Sequence, residues 1–327
     1  MKIGLYGFGS INRLLAKYAV ELGYDIVGVV DIDERIVGVD IGDIIGLGEK
    51  YGVVVSRNPD VLVGSDIVYH ATSSYLDKTY DQIMSIVTRG LNVISTCETL
   101  AYPYYRYPIL ARWIDEKAKQ YGVSVLGTGI NPGFILDTLV VILSSTNPYI
   151  KRVVATRSLD AAKRREAFRK KIGVGETPEI VSKKLESGEY TGHVGYAESV
   201  YLISEAAGLQ LTRVVEYQEP VVAENDISSN NVRVAKGRTR GIRGWASGYV
   251  GNREVIRVEL NALVGADEYD EVLIETSDDV VKWRSSGVHG DKGTVSIMLN
   301  IGEKLWRYPP GLLTMVDIIP FRIRFRI

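Results

Sequence analysis

Gly7, Gly9 and Asp31 carry the first chemistry legible in this chain. In Tyr6-Gly7-Phe8-Gly9-Ser10-Ile11 the two glycines suit a tight turn whose backbone comes close to a pyrophosphate. A helix opening at Ser10 and Ile11 would offer that anion free N–H groups and a partial positive charge. Asp31 follows Gly9 by 22 residues, where a carboxylate accepts hydrogen bonds from an adenosine ribose. It also repels a 2′-phosphate, which favours NAD over NADP. Arg35, four residues on, is placed to bend over such a phosphate and keeps dual use open. Glu98 is the best candidate for a general base, the alternative being a carboxylate at a helix start. Cys97 beside it reads two ways: a thiolate that attacks an aldehyde, or a buried inert thiol whose ionisation Glu98 opposes. His193, flanked by glycines, suits substrate binding or proton transfer. His70 lies in an apolar run and reads as a core or cofactor-lining residue, and His289 as a turn residue. No histidine pair has metal spacing, so no metal is expected.

These residues must be held by regular elements. Residues 2–6 read as a strand, 11–20 as a helix and 24–30 as a second strand ending on Asp31. The third glycine of the usual pattern is Asn12, so this helix is expected slightly off its usual packing. Further strands are read at 53–55, 66–72, 92–96 and 123–127, with helices at 77–89 and 109–121 between them. This alternation predicts a Rossmann-type doubly wound parallel sheet, in which ligands lie beyond the carboxyl ends of the strands. Three such ends are polar: Ala71-Thr72-Ser73-Ser74, Thr96-Cys97-Glu98 and Thr128-Gly129-Ile130-Asn131. The expected cofactor contacts are therefore Gly7, Phe8, Gly9, Ser10, Ile11, Asp31, Arg35, Ala71, Thr72, Ser73, Cys97 and Asn131.

After residue 150 the pattern changes. Helices are read at 166–172, 178–186 and up to Ala207, and strands at 151–155, 231–236, 241–249, 254–264, 271–275 and 294–300. Strands without intervening helices predict an α+β domain with a largely antiparallel sheet. Such a sheet, helix-covered on one side, is expected to leave an apolar face for a second copy, giving a homodimer. Pro309 to Met315 reads as a short helix start returning to the first domain. The expected division is 1–150 for the dinucleotide-binding domain and 151–302 for the substrate and dimerisation domain, with 303–327 packing back on the first.

Composition sets the outer limits. A chain of 327 residues exceeds the usual single core. The net charge of −1, from 39 basic and 40 acidic residues, gives no electrostatic case for a nucleic-acid or membrane partner. Lys163-Arg164-Arg165 with Arg169-Lys170-Lys171 is a local basic stretch, read as a solvated helix face or an anion site. A single cysteine excludes an intrachain disulfide. With no signal peptide or membrane-length apolar run, a cytoplasmic location is expected.

The chain resembles the 2,4-diaminopentanoate dehydrogenase and native amine dehydrogenase family, which has the dihydrodipicolinate reductase-like architecture. The resemblance lies in Val37-Gly38-Val39-Asp40-Ile41-Gly42 with Gly46-Leu47-Gly48, in Ser95-Thr96-Cys97-Glu98, and in Leu126 to Phe134 with Asp137. It continues through Asp160-Ala161 with Arg164-Arg165, Lys170-Lys171-Ile172-Gly173, and Gly192-His193-Val194-Gly195 with Glu198-Ser199. It ends at Gly290-Asp291 and Pro310 to Met315. It implies NAD- or NADP-linked oxidative deamination of an amine or amino acid, and the reverse reductive amination. In that chemistry Glu98 would take the ammonium proton, with burial raising its pKa, while His193 and the Asn131 loop position the substrate. Alternatives are an imine reductase, a Cys97-dependent aldehyde dehydrogenase and a non-enzymatic nucleotide sensor. The absence of adjacent histidines argues against ring reduction by the dihydrodipicolinate reductase machinery.

Overall fold

The computed structural model describes Met1–Pro320 and Phe325. The basic stretch Arg322 to Arg326 falls outside the described residues except for Phe325. The first elements are β1 (Lys2–Tyr6), α1 (Ser10–Glu21), β2 (Asp25–Val30), α2 (Ile41–Ile45), β3 (Val55–Ser56), β4 (Ile67–His70) and α3 (Leu76–Val87). Then come β5 (Asn92–Ser95), α4 (Pro103–Arg106), α5 (Pro108–Tyr121), β6 (Ser124–Gly127), α6 (Thr138–Ser144), β7 (Arg152–Asp160), α7 (Glu166–Lys171), α8 (Pro178–Glu186) and α9 (Tyr196–Ala207). The strand-rich part holds β8 (Arg213–Val222), β9 (Ile227–Ser229), β10 (Val232–Val234), β11 (Thr239–Val250), β12 (Arg253–Leu263), β13 (Tyr269–Glu275) and β14 (Val280–Ser285). The last elements are α10 (Gly290–Gly302), β15 (Gly311–Leu313) and α11 (Met315–Ile318).

The chain forms two compact units. One is Met1–Phe134 with His289–Ile319; the other is Ile135–Val288 with Pro320 and Phe325. These limits differ from a division at 150 and 303, because α6 packs on α9 in the second unit and α10 packs on α1 in the first.

The first unit is built on a seven-stranded sheet ordered β15-β6-β5-β4-β1-β2-β3, every pair parallel. Strand order reverses between β1 and β4, the position where such sheets take ligands. Its strands are apolar because both faces are covered. Val68, Val93 and Val125 pack with Ile83, Ile86 and Ile114 of the helices in one core. Two sequence expectations fail in this unit. Residues 294–300 form part of α10, not a strand. Val295, Met298, Leu299 and Gly302 are its buried positions, a helical spacing that the β-branched composition masked. Residues 311–313 form a strand, not a helix start: Gly311 at φ +141° donates to the Val123 carbonyl and seats β15 on β6.

The second unit holds a six-stranded sheet ordered β14-β13-β7-β12-β11-β8. It is antiparallel except for β12 with β7. β14 was not read from the sequence. Helix α9 packs across β8, β11 and β12 on one face. The other face is not the apolar surface expected. Arg257 pairs with Glu259 and stacks on Trp245, Arg152 pairs with Glu254 and Glu275, and Lys282 and Arg284 pair with Glu271. Tyr217 and Val215 add exposed apolar area at the β8 edge.

Candidate functional site

In the first unit the carboxyl ends of five strands, β2, β1, β4, β5 and β6, are tied side by side by main-chain bonds. Gly7 N–H donates to the Val30 carbonyl, Ala71 to Tyr6, Thr96 to His70 and Thr128 to Ser95. The turn after β1 is compact for a steric reason. Gly7 has φ +80°, and a Cβ there would lie 2.5 Å from the Ala71 carbonyl oxygen. Gly9 differs: its φ is −78° and no atom lies within 4 Å of where a Cβ would stand. Nothing inside the chain therefore requires glycine at 9. Its bareness leaves the start of α1, with Ser10 and Ile11 in the first turn, open to an approaching group. Asn12 is not a packing fault. Its buried Nδ2 donates to the carbonyls of Tyr6, Gly7 and Tyr69, strapping the glycine turn to β1 and β4.

Asp31 lies at the mouth of this turn. One carboxylate oxygen accepts from the Phe8 N–H at 2.5 Å and the other from the Asp33 N–H at 2.9 Å. Phe8 itself is buried. Arg35, 87% exposed, is held by Asp33 at 2.6 Å, and that pairing draws the Asp33 carboxyl down to about 2.

At the next strand end Thr72 and Ser73 are exposed, and Thr72 donates to the Gln82 Oε1. The same oxygen accepts from His70 Nε2 at 2.8 Å, while His70 Nδ1 faces Ser95 Oγ at 2.8 Å. His70 is thus a satisfied core histidine, and burial lowers its pKa to about 4. Glu98 is half-buried and opens a short helical turn, Glu98–Leu100, two residues beyond Thr96. Thr99 N–H and Oγ1 both bond the Ser74 carbonyl, so this turn is fastened to the loop bearing Ser73. Cys97 is buried. Its Sγ lies in the core near Thr79, Ser74 and Thr99, and burial pushes the thiol up to about 11. That environment opposes the thiolate reading. Asn131 precedes a cis-proline, and its Oδ1 is buried without a hydrogen-bond partner.

His193 lies in the second unit. Its N–H donates to Gln218 Oε1, and its ring meets Tyr196 edge-on at 4.6 Å. Burial, then the charges of Lys171 and Arg157, lower its pKa to about 3, so the imidazole is neutral. Its Nε2 and the Tyr196 hydroxyl are buried without partners.

A row of residues next to it was missed in the sequence. One register rung crosses the sheet through Gln218, Gly244, Leu260, Arg157 and Asp270, from β8 to β13. Side chains in register share a face. Tyr196 fills the space that a side chain on Gly244 would need. Arg157, 2% exposed, lies 3.5 Å from Asp270 and donates to the Val288 carbonyl, while its Nη1 has no partner. Arg164 reaches Glu268 at 3.5 Å and leaves its buried Nε unpartnered. Each unspent buried donor costs about 1–3 kcal/mol. The available signal was Arg157 itself, a charge at an inward position among Val153, Ala155 and Leu159. Among the described residues no cluster of His, Cys, Asp or Glu is placed to hold a metal, and no helix is long and apolar enough to cross a membrane.

Residues 134–323 match the family model described as the 2,4-diaminopentanoate dehydrogenase C-terminal domain. The chain is 33% identical to the 2,4-diaminopentanoate dehydrogenase of Acetoanaerobium sticklandii, over 97% of this chain and 92% of that one. Its fold superposes on the amine dehydrogenase from Mycobacterium smegmatis with a TM-score of 0.86 at 24% identity, covering 100% and 97% of the two chains. The WlbA dehydrogenase from Bordetella pertussis, solved with NADH and UDP-GlcNAcA, shares the fold at a TM-score of 0.57 and 13% identity, covering 97% and 92%. The chain belongs to the 2,4-diaminopentanoate dehydrogenase family.

Proposed function

We propose that this chain is an NAD(P)-dependent oxidoreductase, active in the cytoplasm, that oxidatively deaminates an amine or (di)amino acid and catalyses the reverse reductive amination. The observation that carries the cofactor half is Gly9, a glycine with neither a conformational nor an internal packing reason, at the open start of α1 beside Asp31. The activity for which the Acetoanaerobium sticklandii relative is named and the NADH in the Bordetella pertussis structure favour the same reading.

Gly7, Phe8, Gly9, Ser10 and Ile11 would cradle the pyrophosphate, Asp31 the adenosine ribose, and Ala71, Thr72 and Ser73 the span toward the nicotinamide. The nicotinamide supplies the hydride acceptor when bound. Glu98 takes a proton from the substrate ammonium, because only a neutral amine can push a hydride from its carbon. It then passes that proton to water, and the carboxylate so restored would lie beside the iminium charge as it develops. Water adds to the iminium and ammonia leaves. Neutral His193 serves as a hydrogen-bonding partner for substrate. NAD is favoured because Asp31, beside the glycine turn, would accept from a ribose and repel a 2′-phosphate, while Arg35 pairs with Asp33. The chain is further read as a homodimer, with the ion-paired sheet face and its Tyr217 edge against a second copy; a monomeric mass by light scattering at micromolar concentration removes this assignment.

An amine panel run with NAD and with NADP, followed at the reduced-nicotinamide absorbance, tests the function. The expected result is amine-dependent reduction with NAD preferred. A strong preference for NADP would sink the Asp31 argument, and cyclic-imine reduction without amine oxidation would replace the deaminase reading.

A further inference from the structure

We propose that a cavity at the amino ends of β1, β4 and β5 is a second binding site, for a small organic ammonium ion with an apolar body. It lies at the opposite end of the first unit's sheet from the glycine turn and Glu98, and it stands whether or not the function proposed above is correct.

The cavity measures about 370 Å³, within the ~300–1,000 Å³ of small-molecule sites. Asp66 and Asn92 line it from strand starts, Tyr24 from the turn after α1, and Glu303 and Trp306 from the segment after α10. The polar groups left over are acceptors. Asn92 is spent: its Nδ2 donates to the Asp66 carbonyl, and its Oδ1 accepts from the Ser124 N–H. Asp66 gives one carboxylate oxygen to the Lys2 N–H at 2.7 Å, and Glu303 gives one to the Tyr24 hydroxyl. Each acid keeps a second oxygen, and among the described residues no lysine or arginine pairs with either. The carboxyl end of α10 adds partial negative charge from the same side. Such a lining repels an anion and favours a ligand that brings positive charge and N–H donors.

A buried hydroxyl supports this assignment independently. Tyr69 is fully buried and its hydroxyl has no partner, which costs about 1–3 kcal/mol. A Cβ on Gly302 would stand 2.0 Å from that hydroxyl oxygen, so the glycine brings it to the cavity's wall. The charges that bear on it are those of Tyr24 and Glu303, both of which line the cavity.

The apolar body is assigned from Trp306, Leu305 and Ile67. Trp306 is 71% exposed, yet its Nε1 donates to the Glu303 carbonyl at 3.1 Å, so the indole is both held and open. Arg307 lies 5.2 Å from its centroid, which shows the ring already attracting a cation. That guanidinium is exposed and screened by salt within about 8 Å, whereas Asp66 and Glu303 line the cavity directly.

Titration calorimetry of phenethylammonium into the full chain, without nucleotide, tests the site, with 2-phenylethanol as the neutral isostere. The ammonium should saturate and bind at least about tenfold more tightly than the alcohol. Glu303→Gln should weaken it about tenfold and Trp306→Ala about fivefold. Trp306→Ala removes an exposed side chain, so it carries the comparison if Glu303→Gln does not fold. Wild-type affinity in either folded variant overturns the site. So does loss of affinity in Glu98→Gln alone, the result expected if the amine binds only beside Glu98. Equal binding of the alcohol overturns the ammonium assignment, and an absence of saturation at tens of millimolar overturns the whole proposal.

Discussion

The strand ends of the first unit and the charged rung of the second are built from different materials. The first is mainly backbone: a glycine turn, a helix start and a ladder of carbonyls and N–H groups, with Asp31 and Glu98 set into it. The second is side chains alone, with charges buried opposite one another on neighbouring strands. A backbone site demands particular residues at particular spacings, because a left-handed φ or a bare approach admits only glycine. A side-chain site demands only that distant positions meet in register.

Glu98 is the sharpest place to break this contrast, because it is a chemical side chain mounted on the backbone-built site. Glu98→Gln keeps its shape and removes its charge. Amine turnover should fall by ~10²–10⁴-fold while nucleotide affinity holds. Both are measured on one preparation, by steady-state rates and by fluorescence titration of the reduced nucleotide. Wild-type turnover in the variant would leave Glu98 as no more than the opening residue of a helical turn.

The two glycines of the turn sharpen the contrast next. Gly7→Ala puts a Cβ against the Ala71 carbonyl at positive φ, and should cost about 1–3 kcal/mol of stability in a denaturant titration. Gly9→Ala meets nothing in the protein, so stability should hold. Nucleotide affinity should nevertheless fall by roughly tenfold, about 1.4 kcal/mol, because the methyl group stands where the pyrophosphate approaches. Loss of stability without loss of affinity at Gly9 would show that the glycine serves the fold.

These differences explain what could be read in advance. The parallel sheet was legible because apolar runs alternate with helical spacing, and the turn because its glycines are separated by one residue. The helical residues 294–300 were not, since Thr294, Val295 and Ile297 carry strand-like composition over a helical burial pattern. The short β15 was hidden for the opposite reason: three residues have no measurable period. Arg157 and Asp270 were invisible as a pair because they lie 113 positions apart and meet only through the β7–β13 register. The role of Asn12 was not legible because its three hydrogen bonds, to carbonyls of β1, the glycine turn and β4, exist only once β1 and β4 are neighbours.

The two buried histidines give the finest test, one in each region. His70 has partners at both ring nitrogens and a folded pKa of about 4; His193 has an unpartnered Nε2 and a folded pKa of about 3. In the unfolded chain both should titrate near 6.5. Above that value neither state binds the protons, and the stability is fully present. As the pH falls below about 6.5 the unfolded chain gains protons that the folded chain refuses, so stability is lost. Each histidine contributes a slope approaching ~1.4 kcal/mol per pH unit until its folded pKa is reached. Between pH 6.5 and 5, denaturant titrations of wild type should therefore show the slope of both. His70→Gln and His193→Gln should each remove about half of it. The variants should separate at neutral pH: His70→Gln gives up contacts with Ser95 and Gln82 and loses stability, whereas His193→Gln places an amide where Nε2 was unspent and loses less. Equal losses at pH 7 would mean that His193 is as fully bonded as His70, and the side-chain site would then lack the open polar edge that distinguishes it from the backbone site.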